Sequence, residues 1–118
     1  MPTRAAPDGY RAALESEWLE LTRHVLPAMA VSRGWTVRSD HCFQRIFLDA
    51  AVGGVWYDVV LGRPAYRHVD RERLVRAVIL ARSIASGQGD LDALNRQSVA
   101  WRAARNSRQA EATLGLLL

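Results

Sequence analysis

Lysine does not occur in this chain. All sixteen of its basic residues are arginine. Two readings fit: the codon bias of a GC-rich genome, or selection for the planar guanidinium fork that grips phosphate and carboxylate with two parallel hydrogen bonds. Cysteine is nearly absent too. Cys42 stands alone, so no internal disulfide can form and nothing points to an oxidising compartment. No apolar run resembles a leader segment, and none reaches the roughly eighteen residues that a membrane span needs. The expectation is a cytoplasmic protein with no membrane partner. His24, His41 and His68 lie far apart in sequence and no cysteine pair exists, so no metal signature is seen and no cofactor is expected. Gly53-Gly54 lacks the context of a phosphate loop, and no Gly-x-Ser-x-Gly elbow occurs. Internal repeats and low-complexity stretches are missing as well.

What remains is globular. Hydrophobic residues make up 49% of the 118 residues and charged residues 24%, enough for one domain with one core. Four tryptophans are many for this length and suggest core or interface anchors. The net charge of +4 permits an acidic partner without requiring one.

Along the chain the apolar period is helical. Residues 1–9, with Pro2, Pro7 and Gly9, read as a flexible N-terminal arm. Leu14, Trp18, Leu21, Val25 and Met29 are spaced three or four apart and predict one helix face from Tyr10 to about residue 30. Pro27 should kink or reset that helix near Val25 and Leu26, and Gly34 should stop it. Residues 35–39 favour an extended connector. Ser39 or Asp40 caps a second helix over 41–51, with Phe43, Ile46, Phe47 and Ala50 as its apolar face. Residues 55–60 form a short helix or a buried turn, and the stretch through Arg63-Pro64 to His68 reads as loop. Asp70 caps a helix over 71–86 whose broad apolar face marks it as central. Asp90 caps another over about 91–105, with Leu91, Leu94, Ser98 and Trp101 on one side. Residues 107–118 form a tail, helical or frayed. The fold class is therefore all-α: a compact bundle of four to five helices in a single domain over 10–106, joined by short or extended connectors.

Three groups of residues could carry chemistry. His41, Arg45 and Asp49, spaced by four, form a polar stripe opposite Phe43 and Phe47. The plain reading is a solvated face with a weak Arg45–Asp49 pair; the functional one is an anion site or a proton shuttle at His41. Asn95, Ser98, Arg102 and Arg105 form a second stripe, able to bond phosphates and base edges or simply to face water. Trp56-Tyr57-Asp58, Arg63, Tyr66 and His68 cluster donors and aromatics in the irregular stretch, where binding residues concentrate. Tyr57 and Tyr66 fit equally well as core residues with one hydrogen bond each. Cys42 suits a small core hydrophobe better than a nucleophile.

Taken together, Asp40-His41-Cys42-Phe43, Arg45-Ile46, Leu48-Asp49, Trp56-Tyr57-Asp58, Pro64-Ala65-Tyr66, Leu94-Asn95-Arg96, Ser98 and Trp101-Arg102 resemble a group of small stand-alone bacterial proteins. Those are labelled as relatives of the general-control type (GNAT) N-acetyltransferases. The resemblance spans about residues 35–105. It implies membership of that group and carries over no catalytic residue. The acetyltransferase fold needs a mixed sheet and an Arg/Gln-x-x-Gly-x-Gly/Ala loop, which this helical sequence lacks.

The leading expectation is a binding module whose arginine-rich face (Arg45, Arg63, Tyr66, Asn95, Ser98, Arg102, Arg105) meets nucleic acid or another acidic partner. A second is a protein-interaction subunit or homodimer anchored by its tryptophans and the apolar tail. A third is a small enzyme or a degenerate acyltransferase-like protein with a site centred on His41, with Asp49 and Tyr57 as the other catalytic candidates. The sequence leaves open whether the two polar stripes share one side of the molecule.

Overall fold

The computed structural model describes the backbone of residues 5–117 and the side chains of residues 9–116. Among these residues the chain forms five helices, four of them at least seven residues long, and no strand. The first is a continuous rod made of α1 (Ala5–Glu20), a π-helical segment (Leu21–Val25) and α2 (Leu26–Arg33). Then follow α3 (Asp40–Val52), a 3₁₀ turn (Trp56–Asp58), α4 (Ala65–His68), α5 (Arg71–Ala85) and α6 (Leu91–Leu117).

The rod shows how one proline is absorbed. Pro27 has no N–H to give to the carbonyl four residues back. Just ahead of it the helix widens, and Leu26 N–H bonds the carbonyl of Leu21, five residues back. The wide turn inserts one extra residue, so the buried face moves by one position. Leu14, Trp18 and Leu21 are buried before it, and Leu26 and Ala30 after it. Val25 and Met29, expected on the buried face, are only partly covered. Thr22 fills the widened turn. Its hydroxyl donates to the Trp18 carbonyl at 2.8 Å and accepts from Gln44 Nε2 at 3.0 Å, tying the rod to α3.

The hub is α3 rather than the expected α5. Phe43, Ile46 and Phe47 are fully buried on its predicted face, where α5 and the rod cover them. Leu48, Asp49 and Ala51 are buried as well, because α6 lies across the other side. Phe47 stacks on Phe43 and meets the edge of Trp18. On α5 the buried residues are Leu74, Ala77, Val78, Ala81 and Ile84, a single stripe. Its cap is as predicted, with Asp70 accepting from Arg73 N–H at 3.1 Å.

Several boundaries differ from expectation. Residues 5–9, read as an arm, lie in α1, and residues 1–4 fall outside the described ones. The stretch 65–68, read as loop, is a helical turn. Its His68 ring rests against Gly62 and leaves no room there for a Cβ. Helix α6 runs on to Leu117, and every residue from Asn106 to Leu116 is exposed. No helix of the described residues is long and apolar enough to cross a membrane.

Glu17 on α1 and Arg82 on α5 pair in a fork across the surface. Hydrogen bonds from Arg82 hold the Glu17 carboxyl below its ordinary 4.5. A carboxyl depressed in the folded state stabilises at neutral pH, and that contribution fades as the pH falls through and below the ordinary value. A Glu17→Gln variant should therefore melt slightly below the parent at pH 7. The gap between the two melting temperatures should close as the pH drops below 4.5.

Candidate functional site

The two polar stripes meet. Asp49, in the last turn of α3, is completely buried at a helix end whose dipole disfavours a carboxylate. Four donors compensate. Ser98 Oγ donates to Oδ2 at 2.6 Å, and Arg102 donates through Nε at 2.9 Å and Nη2 at 3.1 Å. The backbone N–H of Trp56 donates to Oδ1 at 2.9 Å. Gly53 makes this last bond possible. Its φ of 77° closes α3 in the left-handed region, turning the chain so that Trp56 comes back over Asp49. The hydrogen bonds to Asp49 in turn hold the Arg102 guanidinium above its ordinary pKa.

The weak Arg45–Asp49 pair expected within α3 does not form. Arg45 instead reaches across to α6, donating from Nη1 to Ser98 Oγ at 2.7 Å and from Nη2 to Asn95 Oδ1 at 3.0 Å. Ser98 thus accepts from Arg45 while donating to Asp49. Arg105 donates to both carboxylate oxygens of Asp58 at 2.9 Å, and Arg102 and Arg105 both lie over the ring of Tyr57. The stripe of Asn95, Ser98, Arg102 and Arg105 is therefore spent largely on fixing α6 to α3 and the 3₁₀ turn.

One hint of this was present in the sequence. Ser98 falls on the same helix face as Leu91, Leu94 and Trp101, and a polar residue on an apolar face needs a buried partner. That the partner is Asp49 was not legible, because the two are 49 residues apart.

Beside this network two adjoining hollows, of about 260 and 330 Å³, share His41, Arg45, Trp56 and Arg63 as walls. Cys42, Tyr57 and Arg102 complete one of them, and Gln44, Leu48, Pro64 and Ala65 complete the other. No carboxylate lines either. The charge of Arg102 is cancelled by Asp49 behind it, whereas Arg45 bonds only to neutral oxygens. Arg63 makes no hydrogen bond or ion pair among the described residues. Its guanidinium lies 5.2 Å from the centre of the Trp56 ring, a cation–π contact that holds it over the groove. Two arginines without a counter-charge thus face one concave surface.

The remaining candidates separate. Tyr66 lines neither hollow; it packs against the core, and its carbonyl accepts from Arg11. His68 lies against Gly62. His41 sits at the exposed rim with Nδ1 3.0 Å from Asp40. Asp49 has its lone pairs committed to four donors, and Tyr57 lies beneath two guanidinium groups, so these three catalytic candidates do not form a reacting set. A larger hollow of about 430 Å³ at the α5–α6 turn sets Arg33 against Asp90 and Asp92, a net negative lining that does not suit an anion. Among the described residues no cluster of histidine, cysteine or carboxylate side chains is placed to hold a metal ion.

No family model, curated protein or solved structure matches this chain.

Proposed function

We propose that this protein is a binding module for an acidic partner, with nucleic acid as the partner class, and that the groove walled by His41, Arg45, Trp56 and Arg63 seats an anionic group of that partner. The carrying observation is the pair Arg45 and Arg63: two guanidinium groups, both held in place, facing one hollow with no carboxylate in its walls. Arg38, Arg96 and Arg108 add exposed positive charge elsewhere. Charge of this kind raises the local concentration of polyanions and speeds encounter.

The test is fluorescence anisotropy with short single- and double-stranded DNA and RNA, titrated across salt. Binding should weaken steeply as salt rises, because each phosphate contact releases counterions. It should also fall in Arg63→Ala while the melting temperature stays unchanged. Arg102→Ala is a poor probe, since it removes the partner of a buried carboxylate and so weakens the fold. Absence of binding at low salt would overturn the nucleic-acid reading.

One observation favours a second reading, a protein-interaction subunit or homodimer. The end of α6 stands free of the body, with Leu114 60% and Leu116 89% exposed. On that reading the chain self-associates in a way that ignores salt and disappears when residues 106–118 are deleted.

A further inference from the structure

Resting on the reading of the groove as an anion seat, we infer that it takes a single phosphomonoester group, as found at the end of a nucleic-acid strand or on a free nucleotide, rather than a run of backbone diesters.

Three features point there. The first is charge. The seat holds two uncompensated positive charges, Arg45 and Arg63, and a phosphomonoester carries about −1.5 to −2 at neutral pH, against −1 for a diester or a carboxylate. The second is donor supply. A guanidinium has five N–H groups. Arg45 uses one on Ser98 and one on Asn95, which leaves three, and Arg63 has all five. A terminal phosphate offers three non-bridging oxygens, enough to take donors from both arginines, whereas a carboxylate offers two.

The third is extent: where α6 meets the groove its arginines are compensated, Arg102 by Asp49 and Arg105 by Asp58, and the exposed Arg96 and Arg108 of the same helix line neither hollow. A strand laid past the groove over Arg102 and Arg105 would meet cations already paired with carboxylates. The geometry suits an end inserted into a hollow. The aromatic rings serve as supports for the guanidinium groups: Arg63 already covers the Trp56 ring, and the Tyr57 ring carries Arg102 and Arg105. Base stacking is therefore not what the seat offers.

The experiment compares one single-stranded oligonucleotide in three forms, with a 5′-phosphate, a 3′-phosphate or hydroxyl ends, each carrying an internal fluorophore. Inorganic phosphate and adenosine monophosphate are titrated separately by calorimetry. A phosphate-ended oligonucleotide should bind about tenfold tighter than the hydroxyl form or better, the equivalent of one charge-assisted hydrogen bond. Inorganic phosphate should compete, and the preference should vanish in Arg63→Ala, a surface change that leaves the fold intact. Phosphate and nucleotide binding with no oligonucleotide binding would keep the phosphomonoester seat, assign it to a small molecule and overturn nucleic acid as the partner. Equal, salt-sensitive binding of all three oligonucleotides, with no competition by phosphate, would overturn this inference and leave the broader reading standing. No binding of any probe would overturn both.

Discussion

Asp49→Ala should lower the free energy of unfolding by about 3–5 kcal/mol, the cost of breaking a buried, hydrogen-bonded ion pair from one side. For a domain whose whole stability is about 5–15 kcal/mol, that is a large share. The change strips Ser98, Arg102 and the Trp56 N–H of their acceptor at once. Arg102, whose side chain is about a quarter exposed, can turn toward water, but Ser98 is fully buried and cannot. The reverse change, Arg102→Ala, leaves a fully buried carboxylate without a counter-charge and should cost at least as much. The double variant should cost clearly less than the sum of the two, because each single change carries the penalty of a stranded partner. Urea unfolding with a constant denaturant slope measures all three, and simple additivity would contradict this account of the network. Asp49→Ala should also weaken ligand binding per folded molecule. Ser98, which positions Arg45, loses its acceptor, and the 3₁₀ turn carrying Trp56 loses its tether.

Phe47→Ala should be comparably destabilising, at about 3–5 kcal/mol, through the apolar surface lost and the cavity left behind. The Phe47 ring is fully buried, stacked at 6.4 Å on Phe43 with 13° between the planes. It also meets Trp18 edge-on at 6.4 Å. Its ring neighbours come from α3 itself and from α1, and α5 packs closely on α3, so the site cannot collapse without moving a helix. Phe47 sits on the side of α3 away from the groove. Ligand affinity measured on the folded fraction should therefore stay close to that of the parent, in contrast to Asp49→Ala. Thermal or urea unfolding gives the stability, and anisotropy at a temperature where both proteins are folded gives the affinity. A loss of affinity equal to that of Asp49→Ala would mean that the groove depends on the core as a whole rather than on the polar network.

The contrast shows what could be seen in the chain beforehand. The 3.6-residue spacing of Phe43, Ile46 and Phe47, and of Leu74, Val78 and Ala81, named the buried faces, because burial on a helix repeats with its turn. The Asp70 cap, the stop at Gly34 and the all-helical class followed from local chemistry in the same way. Periodicity failed where its period changed. A single extra residue in the π segment moved the buried face from Val25 and Met29 to Leu26 and Ala30, and nothing in the spacing alone marks a wide turn.

What only the tertiary structure decided is which polar residues face each other. His41, Arg45 and Asp49 on α3, and Asn95, Ser98, Arg102 and Arg105 on α6, looked alike as exposed stripes, because a helix period cannot distinguish a face turned to water from one turned to a second polar helix. Docking α6 on α3 buried Asp49, diverted Arg45 from its neighbour four residues on to partners 50 and 53 residues away, and used up Arg102 and Arg105. Arg45 and Arg63 were left as the groove's cations without a counter-charge. Burial within a helix is a local property of its sequence. Pairing of charges between helices depends on long-range packing, which brings together residues that the sequence keeps far apart.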